Sequence, residues 1–350
     1  MTPVPEKKVN SIKNRNEFLF VYDIKNGNPN GDPDENRPRI DEVTKHCYVT
    51  DVRLKRFVRD YLIQTDGEEK ILVTKLGSKK ANLTERVRQS LVSNPKIEGE
   101  DLLKTLLDRF IDLRLFGSPL AFKDAPEEWG DRSSLTGPVQ INFGETLHSI
   151  EEVTFHGWAS MPFEPGQEGA TPTTYYGIPY GLIAFHGVAN ENAAKTTDLS
   201  EADLTKFKVA LWKGIRETSS ANTRTKREQQ PRLLINIVYK ERIKIKENGK
   251  DEEVPTEYHI GSLEEKIKLT PNKDVADEIN IRKIGDYSLD FTKLITAIRR
   301  VNDKIERIEY CQSPEFHDYY GKTLIAELKA IFPDGEKRVI NLNIDRISVP

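Results

Sequence analysis

The chain has 350 residues, of which 37% are hydrophobic and 31% are charged, a composition typical of a globular protein with a charge-rich surface. Its formal net charge of −3 excludes a protein that coats nucleic acid with an overall basic surface, so any site for a polyanion must be a local patch. Two cysteines are too few for a disulfide framework, and no run of about 18 apolar residues occurs, so we expect a cytoplasmic protein without a membrane span.

The first two predicted elements are a buried strand at residues 18–24 and a helix that begins after Thr50. The strand segment (FLFVYDI) combines aromatic and β-branched side chains in one apolar run. After a turn-rich loop at residues 25–48, the Thr50 side chain can cap the helix, and Asp51 favours its positive end. Apolar side chains recur in this helix at helical spacing, and cations lie beside that stripe, namely Arg53, Lys55, Arg56 and Arg59.

A helical insertion and further strands follow in chain order. Residues 66–128 hold charged, helix-favouring stretches separated by turn-forming residues, and we interpret them as a helical subdomain. The elements that we predict after this subdomain are strands at residues 133–143, 178–188 and 233–239, a loop-rich hairpin at residues 151–174 and a helix at residues 201–217 that Ser200 can cap.

The C-terminal part completes the predicted fold class. The secondary structure of residues 241–286 is ambiguous from the sequence. Residues 290–308 favour a helix, and residues 323–331 and 339–347 favour strands. The order of strands and helices predicts an α+β fold with a ferredoxin-like split β-α-β sheet and large insertions. The same sheet underlies the commonest RNA-binding module, although a fold alone does not give a function.

Motifs for nucleotides, metals and nucleophilic catalysis are absent from the sequence. It contains no GxxxxGK[ST], GxGxxG, GxSxG or HExxH. Residues 26–37 begin like a calcium loop, but the twelfth position is an arginine where a bidentate glutamate is required. We therefore predict no metal and no cofactor. Acid–base chemistry stays open as an alternative, because His148 and His156 flank Glu151 and Glu152.

Two clusters of cations point to nucleic acid. The first joins Arg37, Arg39 and Lys45, which lie in the loop, to the cations of the predicted helix. The second is the segment TRTKREQQPR, which lies between a helix and a strand and has few acidic neighbours. Each of these side chains can neutralise a phosphate, and in a ferredoxin-like sheet both loops can reach one surface. A merely solvated charged face is the alternative interpretation.

Six motifs stand in order over residues 16–240, namely NPNGDP, PRID, VTDVRLKRFVRDYL, LTGPVQINFG, IPYGLIAFHG and NTRTKREQQPRLLI. With them the chain resembles the backbone subunit of type I CRISPR interference complexes (Cascade), most closely the type I-B group and next the type I-C group. The resemblance implies a hand-shaped protein of the RAMP superfamily. It has an RRM-like ferredoxin palm at residues 16–65 and 130–350, a helical fingers insertion at residues 66–128 and a β-hairpin thumb at residues 148–178.

The resemblance also implies a role without catalysis. In this family many copies stack head-to-tail along a guide RNA (crRNA), each palm grips the RNA backbone, and each thumb turns one nucleotide out. The guide is left in short segments that pair with target DNA. The implied partners are crRNA, target DNA in the guide–target heteroduplex, copies of the chain itself, a large PAM-reading subunit, a small subunit and the subunits that bind the RNA handle.

The matching motifs carry RNA contacts over to this sequence residue by residue. The implied contacts to the RNA backbone are Asn28, Asn30, Arg37, Arg39, Thr50, Arg53, Lys55, Arg56, Arg59, Gly137, Gln140, Arg224, Lys226 and Arg227. In the thumb, Met161 and Phe163 are the candidates for the wedge between bases, because an apolar side chain can stack where a base was removed.

Two other functions are alternatives. Related type III backbone subunits carry an aspartate that cuts target RNA, and Asp41 lies near the corresponding place, with Asp32 and Asp34 close by. The competing interpretation is that these carboxylates form turns or pair with the arginines of the same loop. A small-molecule enzyme on this fold is the last alternative, and it lacks any nucleotide or metal motif.

Overall fold

The computed structural model describes residues 11–74, 82–91, 99–124, 127–129, 134–159, 171–222, 228–247 and 250–346. Within these ranges the strands are β1 (Asn16–Gly27), β2 (Tyr48–Val49), β3 (Gly117–Ser118), β4 (Leu135–Thr136), β5 (Val139–Ile141), β6 (Gly144–Thr146), β7 (Val153–Ala159), β8 (Thr171–Ala189), β9 (Gln229–Tyr239), β10 (Arg242–Glu247), β11 (Lys250–Pro255), β12 (Lys268–Pro271), β13 (Tyr287–Asp290), β14 (Ile305–Gln312) and β15 (Val339–Asn341). The helices are α1 (Asp51–Asp66), α2 (Leu83–Ser90), α3 (Gly99–Arg109), α4 (Ile111–Phe116), α5 (Glu191–Thr197), α6 (Glu201–Asn222), α7 (Thr292–Arg300), α8 (Pro314–Phe316), α9 (Lys322–Lys329) and α10 (Gly335–Arg338), with a π-helical turn at His317–Gly321.

A central sheet organises the fold. Its strand order is β15-β14-β9-β1-β8-β6-β2, and β5 and β7 also pair with β8. Each described pair in this sheet is antiparallel except β14 with β15. The predicted mixture of helices and strands is therefore confirmed, and the central sheet is mostly antiparallel. Along the chain the core elements run β1, α1, β6, β8, α6 and β9, and they place β9, β1, β8 and β6 side by side.

The two faces of β1 are buried by different parts of the chain. Phe18, Phe20 and Tyr22 pack with α1 and α6 on one face, whereas Leu19 and Val21 pack on the other face. Because neighbouring side chains of a strand point to opposite faces, a strand covered on both sides is mostly apolar. This explains the apolar run at residues 18–22 of β1, whereas the buried Glu17 and Asp23 of the same strand are hydrogen-bonded.

Helices α1 and α6 lie close together on the first face. The apolar stripe of α1 is buried as predicted, with Leu54 and Phe57 each 1% exposed. Gly214 of α6 allows the close approach, because a Cβ at this position would lie 2.7 Å from the Phe57 carbonyl oxygen. Of the four cations of α1, Arg59 is buried and the other three are partly exposed.

The C-terminal part of the chain covers the second face of the sheet. Apolar side chains between Leu263 and Val339 pack there against β1, β8 and β9. Both faces of the central sheet are therefore occupied by protein. A large ligand such as a nucleic acid can reach this sheet only through its edges and the loops that connect its strands.

Two predictions for the C-terminal part are wrong. The strand predicted at residues 323–331 is largely helix α9, because Leu324, Ile325 and Leu328 are buried together at helical spacing. The single helix predicted at residues 290–308 stops at the end of α7, and the chain continues as β14, which pairs with β9.

Residues 66–128 and the region around β7 contribute two further units. Helices α2, α3 and α4 enclose a separate apolar cluster that includes Leu72, Leu106, Phe110 and Trp129. Strand β7 pairs with the first residues of β8, from Val153 with Gly177 onward, and forms a hairpin. In the part of the chain that the structure describes, no helix is long and apolar enough to cross a membrane.

Candidate nucleic-acid interface

The loop before α1 is fixed to the start of that helix by two side chains. Thr50 caps α1, since its Oγ1 accepts a hydrogen bond from the Arg53 backbone N–H at 3.3 Å. Asn30 Oδ1 in turn accepts from the Thr50 backbone N–H at 2.9 Å and from the Thr50 hydroxyl at 2.8 Å. Both residues are predicted RNA contacts, and the structure gives them a role in positioning the helix N-terminus.

Side chains of the same loop hold its turns. Asn28 is fully buried and donates from Nδ2 to the Asn36 carbonyl at 2.6 Å, while its Oδ1 has no partner among the described residues. Asp32 Oδ1 accepts from three successive backbone N–H groups, of which Glu35 N is nearest at 2.8 Å. The Glu35 hydrogen bond is the main reason that the pKa of Asp32 lies below its usual value. The loop is therefore an ordered structure held by its own polar groups.

Four of the cations predicted to bind phosphate are paired with carboxylates of the protein itself. Arg37 forms a two-pronged pair with Glu152, with Nη2 to Oε1 at 2.6 Å, and its guanidinium lies 4.5 Å from the Tyr176 ring centroid. The other three pairs are Lys55 with Asp51, Arg56 with Asp60 and Arg59 with Asp112. The Arg59 pair is buried, so this guanidinium stabilises the protein and is not available to a phosphate at the surface.

Two predicted cations have no carboxylate partner in the described part of the chain. Arg39 donates from Nε to the Gly31 carbonyl at 3.3 Å and is half-buried. Arg53 lies with its guanidinium 4.0 Å from the Phe57 ring centroid, and its Nε lacks a hydrogen-bond acceptor there. Burial lowers the pKa of Arg53. Arg53 belongs to the first turn of α1 and Arg39 to the loop before it, and no carboxylate of the described residues neutralises either of them.

The LTGPVQ segment contains two residues predicted to contact RNA, Gly137 and Gln140, and packing also explains the glycine. A Cβ on Gly137 would lie 2.1 Å from the Phe116 carbonyl carbon and 2.3 Å from the Gly117 backbone nitrogen, so the two chain segments touch. Gln140 is exposed and donates from Nε2 to the Gly137 carbonyl at 2.7 Å. The RNA contacts of both residues stay predictions, but packing alone is enough to require glycine at position 137.

The remaining predicted contacts are Arg224, Lys226 and Arg227 of the second basic cluster and the wedge candidates Met161 and Phe163. They lie outside the described residues.

Sequence reasoning missed an aromatic pair beside this loop. Tyr48 and Phe143 have parallel rings, with 3° between their planes and 6.3 Å between their centroids, and Phe143 is 54% exposed. Phe143 follows the motif LTGPVQ, and in the sequence it reads as one more apolar residue of a buried strand. Its exposure depends on an irregularity in the sheet that has no local sequence signal.

The structure does not bring the histidines and glutamates near residue 150 together as an acid–base pair. His148 is 1% exposed, and burial lowers its pKa to about 4, so it is neutral at pH 7. Glu152 is paired with Arg37 instead. His156 contacts Thr174 across the hairpin. Among the described residues no group of three or more metal-binding side chains occurs either.

The buried His148 predicts a measurable pH dependence of stability. Unfolded, its imidazole binds a proton near its ordinary pKa of 6.5, whereas the folded protein keeps it neutral down to about pH 4. Above about pH 6.5 His148 is neutral in both states and does not lower the free energy of unfolding. Below that pH the unfolded chain binds the proton and the free energy of unfolding decreases toward pH 4, by about 2 kcal/mol between pH 7 and pH 5. Urea unfolding should show a smaller loss of stability between pH 7 and pH 5 for His148→Asn than for the wild type, and the Asn amide can still donate to the Ser149 carbonyl. An equal loss in both proteins would show that His148 is not held neutral by burial.

Comparisons with known proteins agree with the motifs. The sequence model of a family described as CRISPR-associated protein Cas7 matches residues 14–292. A protein of Haloferax volcanii named CRISPR-associated protein Cas7 is 31% identical over 313 residues, which cover 84% of this chain and 86% of that protein.

Two solved structures are also similar. A chain of a "CRISPR RNA-guided surveillance complex, pre-nicking" matches with a TM-score of 0.46 and 11% identity, over 91% of this chain and 100% of that chain. A chain of a "CRISPR RNA-guided surveillance complex" matches with a TM-score of 0.40 and 14% identity, over 90% of this chain and 100% of that chain.

Proposed function

This chain belongs to the Cas7 family of CRISPR-associated proteins, and we propose that it is a Cascade backbone subunit that assembles along crRNA. The proposal gives the chain one task, which is to hold the phosphate backbone of the guide so that its bases can pair with target DNA. The observation that carries it is the ordered helix N-terminus flanked by Arg39 and Arg53, two cations without carboxylate partners in the described residues.

The surroundings of α1 support binding to a backbone more than binding to particular bases. A helix N-terminus and arginine side chains recognise phosphate in any sequence, and in RNA-guided complexes base pairing reads the sequence. Both faces of the sheet are covered, and in this proposal the guide runs over the loop at residues 25–48 and the start of α1. The path of the RNA would therefore follow an edge of the fold.

The proposal includes a hand-shaped arrangement. The neighbouring order of β9, β1, β8 and β6 supports an RRM-like palm, the helices between residues 66 and 128 serve as fingers, and the β7–β8 hairpin serves as the thumb. Head-to-tail copies, the large PAM-reading subunit, the small subunit and the handle-binding subunits complete a cytoplasmic complex of type I-B character. Its proposed role is structural, and DNA cleavage is left to another protein.

The ribonuclease alternative is not favoured by the chemistry around Asp41. Its Oδ1 accepts from the Val43 and Thr44 backbone N–H groups at 2.9 and 2.7 Å and from the Thr44 hydroxyl at 3.0 Å. The Thr44 hydrogen bonds are the main reason that the pKa of Asp41 is lowered. This carboxylate holds a turn, as the competing interpretation of the sequence expects.

Co-expression with a CRISPR array and the companion subunits tests the proposed function. We expect the purified complex to contain short RNAs of repeat and spacer sequence that ribonuclease removes and deoxyribonuclease does not. Magnesium and a complementary RNA should leave that RNA uncut, with Asp41→Ala as the matched control. A complex without RNA would refute the binding role, and periodic cuts that Asp41→Ala abolishes would establish the ribonuclease instead.

A further inference from the structure

The segment between β5 and β6 contains a bulge that turns one aromatic side chain outward. Ile141 pairs with Gly187 and Glu145 pairs with Ala184, so three residues on this side face two residues of β8. An extra residue of this kind bends the strand and redirects a side chain. Asn142 keeps one hydrogen bond across the bulge, from its backbone N–H to the His186 carbonyl at 2.9 Å.

Gly144 fixes the direction in which the bulge points. A Cβ at this position would lie 2.4 Å from the Phe185 ring, so the backbone rests directly on a core aromatic side chain. The side chain of the neighbouring Phe143 is 54% exposed and therefore points away from this core side chain.

Tyr48 supports the ring of Phe143 from the neighbouring strand. Its backbone N–H donates to the Arg39 carbonyl at 2.9 Å, and its strand partner is Glu145. The two rings have planes only 3° apart. Parallel aromatic planes of which one ring is more than half exposed leave a flat surface onto which a further planar group can stack.

The position of this pair beside the start of α1 indicates the class of ligand. Tyr48 donates from its backbone N–H to the Arg39 carbonyl and precedes the cap Thr50 by two residues, so the backbone of Tyr48 adjoins the N-terminus of α1, while its strand partner Glu145 adds one negative charge. A planar group that is joined to a phosphate fits both features at once. Nucleotides have this composition, and their bases stack on aromatic side chains without regard to sequence.

We propose that the Tyr48–Phe143 pair is a stacking platform for one base of the bound RNA, beside the phosphates held at the start of α1. This inference rests on the proposed function and deepens it, because it adds a contact to a base where the family motifs imply contacts to the backbone. The platform would hold a base at a constant position in every copy of the chain, independently of the guide sequence.

Fluorescence anisotropy with the full-length chain and labelled RNA of mixed sequence tests the platform. We expect Phe143→Ala to weaken binding to RNA of about 10 nucleotides by about 5-fold to 150-fold, the usual effect of removing one side chain that stacks on a base. Phe143→Tyr keeps the ring and should bind like the wild type. Tyr319→Ala is the matched control, because this aromatic residue is 56% exposed at a different place on the surface.

The salt dependence separates stacking from phosphate contacts. Phe143→Ala should leave the slope of log K against log salt concentration unchanged, since stacking releases no counterions. Two results would overturn the platform but not the proposed function. One is a lower slope for Phe143→Ala, and the other is wild-type affinity of this variant at an unaltered melting temperature. Unchanged affinity with loss of assembly on longer RNA would assign the pair to a contact between copies. A wild-type chain that binds no RNA would refute the proposed function itself.

Discussion

Replacing Asp112 by alanine is expected to lower the free energy of unfolding by about 3–5 kcal/mol, the usual effect of removing one partner of a buried ion pair. Asp112 is 1% exposed and accepts from Arg59 Nε at 2.9 Å and from the Leu72 and Val73 backbone N–H groups at 2.7 and 3.1 Å. Its loss would leave a buried guanidinium and the Leu72 and Val73 backbone N–H groups without their acceptor. The pair joins α1 to the helices that follow, so the connection between these two units should weaken as well.

Chemical denaturation followed by circular dichroism measures this effect. Arg56→Ala is the matched control, because its partner Asp60 lies four residues away on the same helix and such exposed pairs contribute about 0.5 kcal/mol or less. Arg59→Ala should destabilise the protein strongly, like Asp112→Ala. A loss below about 1 kcal/mol for Asp112→Ala would show that the pair is not buried in solution.

Replacing Arg39 and Arg53 together by glutamine is expected to lower the slope of log K against log salt concentration by about 1.4 for single-stranded RNA. Each lost phosphate contact on a single strand contributes about 0.7 to this slope. The loss of affinity should be the same for every RNA sequence, because the arginines contact the backbone. Glutamine keeps the polar character and most of the length of both side chains, so the loop and helix should remain folded.

The double variant Lys55→Gln, Arg56→Gln is the comparison for this experiment. These cations lie on the same helix, but each already has a carboxylate partner, Asp51 and Asp60 respectively. Their replacement should change the slope less than replacement of the arginine pair. Equal effects of the two double variants would show that the carboxylate partners do not decide which cations bind phosphate.

Local patterns in the sequence were enough for the elements around the proposed interface. The Thr50 cap, the apolar stripe of α1 and the continuous apolar run of β1 each depend on residues that are close together in the chain. The false strand at residues 323–331 shows the limit of such patterns. Short apolar runs fit either a strand or a buried helix, and only the surroundings decide.

The state of each cation could not be predicted, because it depends on residues far away in the sequence. Arg59 and Asp112 are 53 positions apart, and Arg37 and Glu152 are 115 positions apart. The first cluster contains six arginines and lysines that are predicted RNA contacts, and the sequence gives no sign of which of them have carboxylate partners. The fold divides them into those that pair internally and the two, Arg39 and Arg53, without a carboxylate partner among the described residues.

The most direct test of the account is the mass of the complex that the chain forms with single RNAs of increasing length. Mass photometry of the purified chain on crRNAs that differ only in spacer length should show equal steps, each the mass of one further chain. This result would establish that copies follow one another along the guide at a constant spacing. One fixed mass at every RNA length would contradict the proposal that the chain is a backbone subunit.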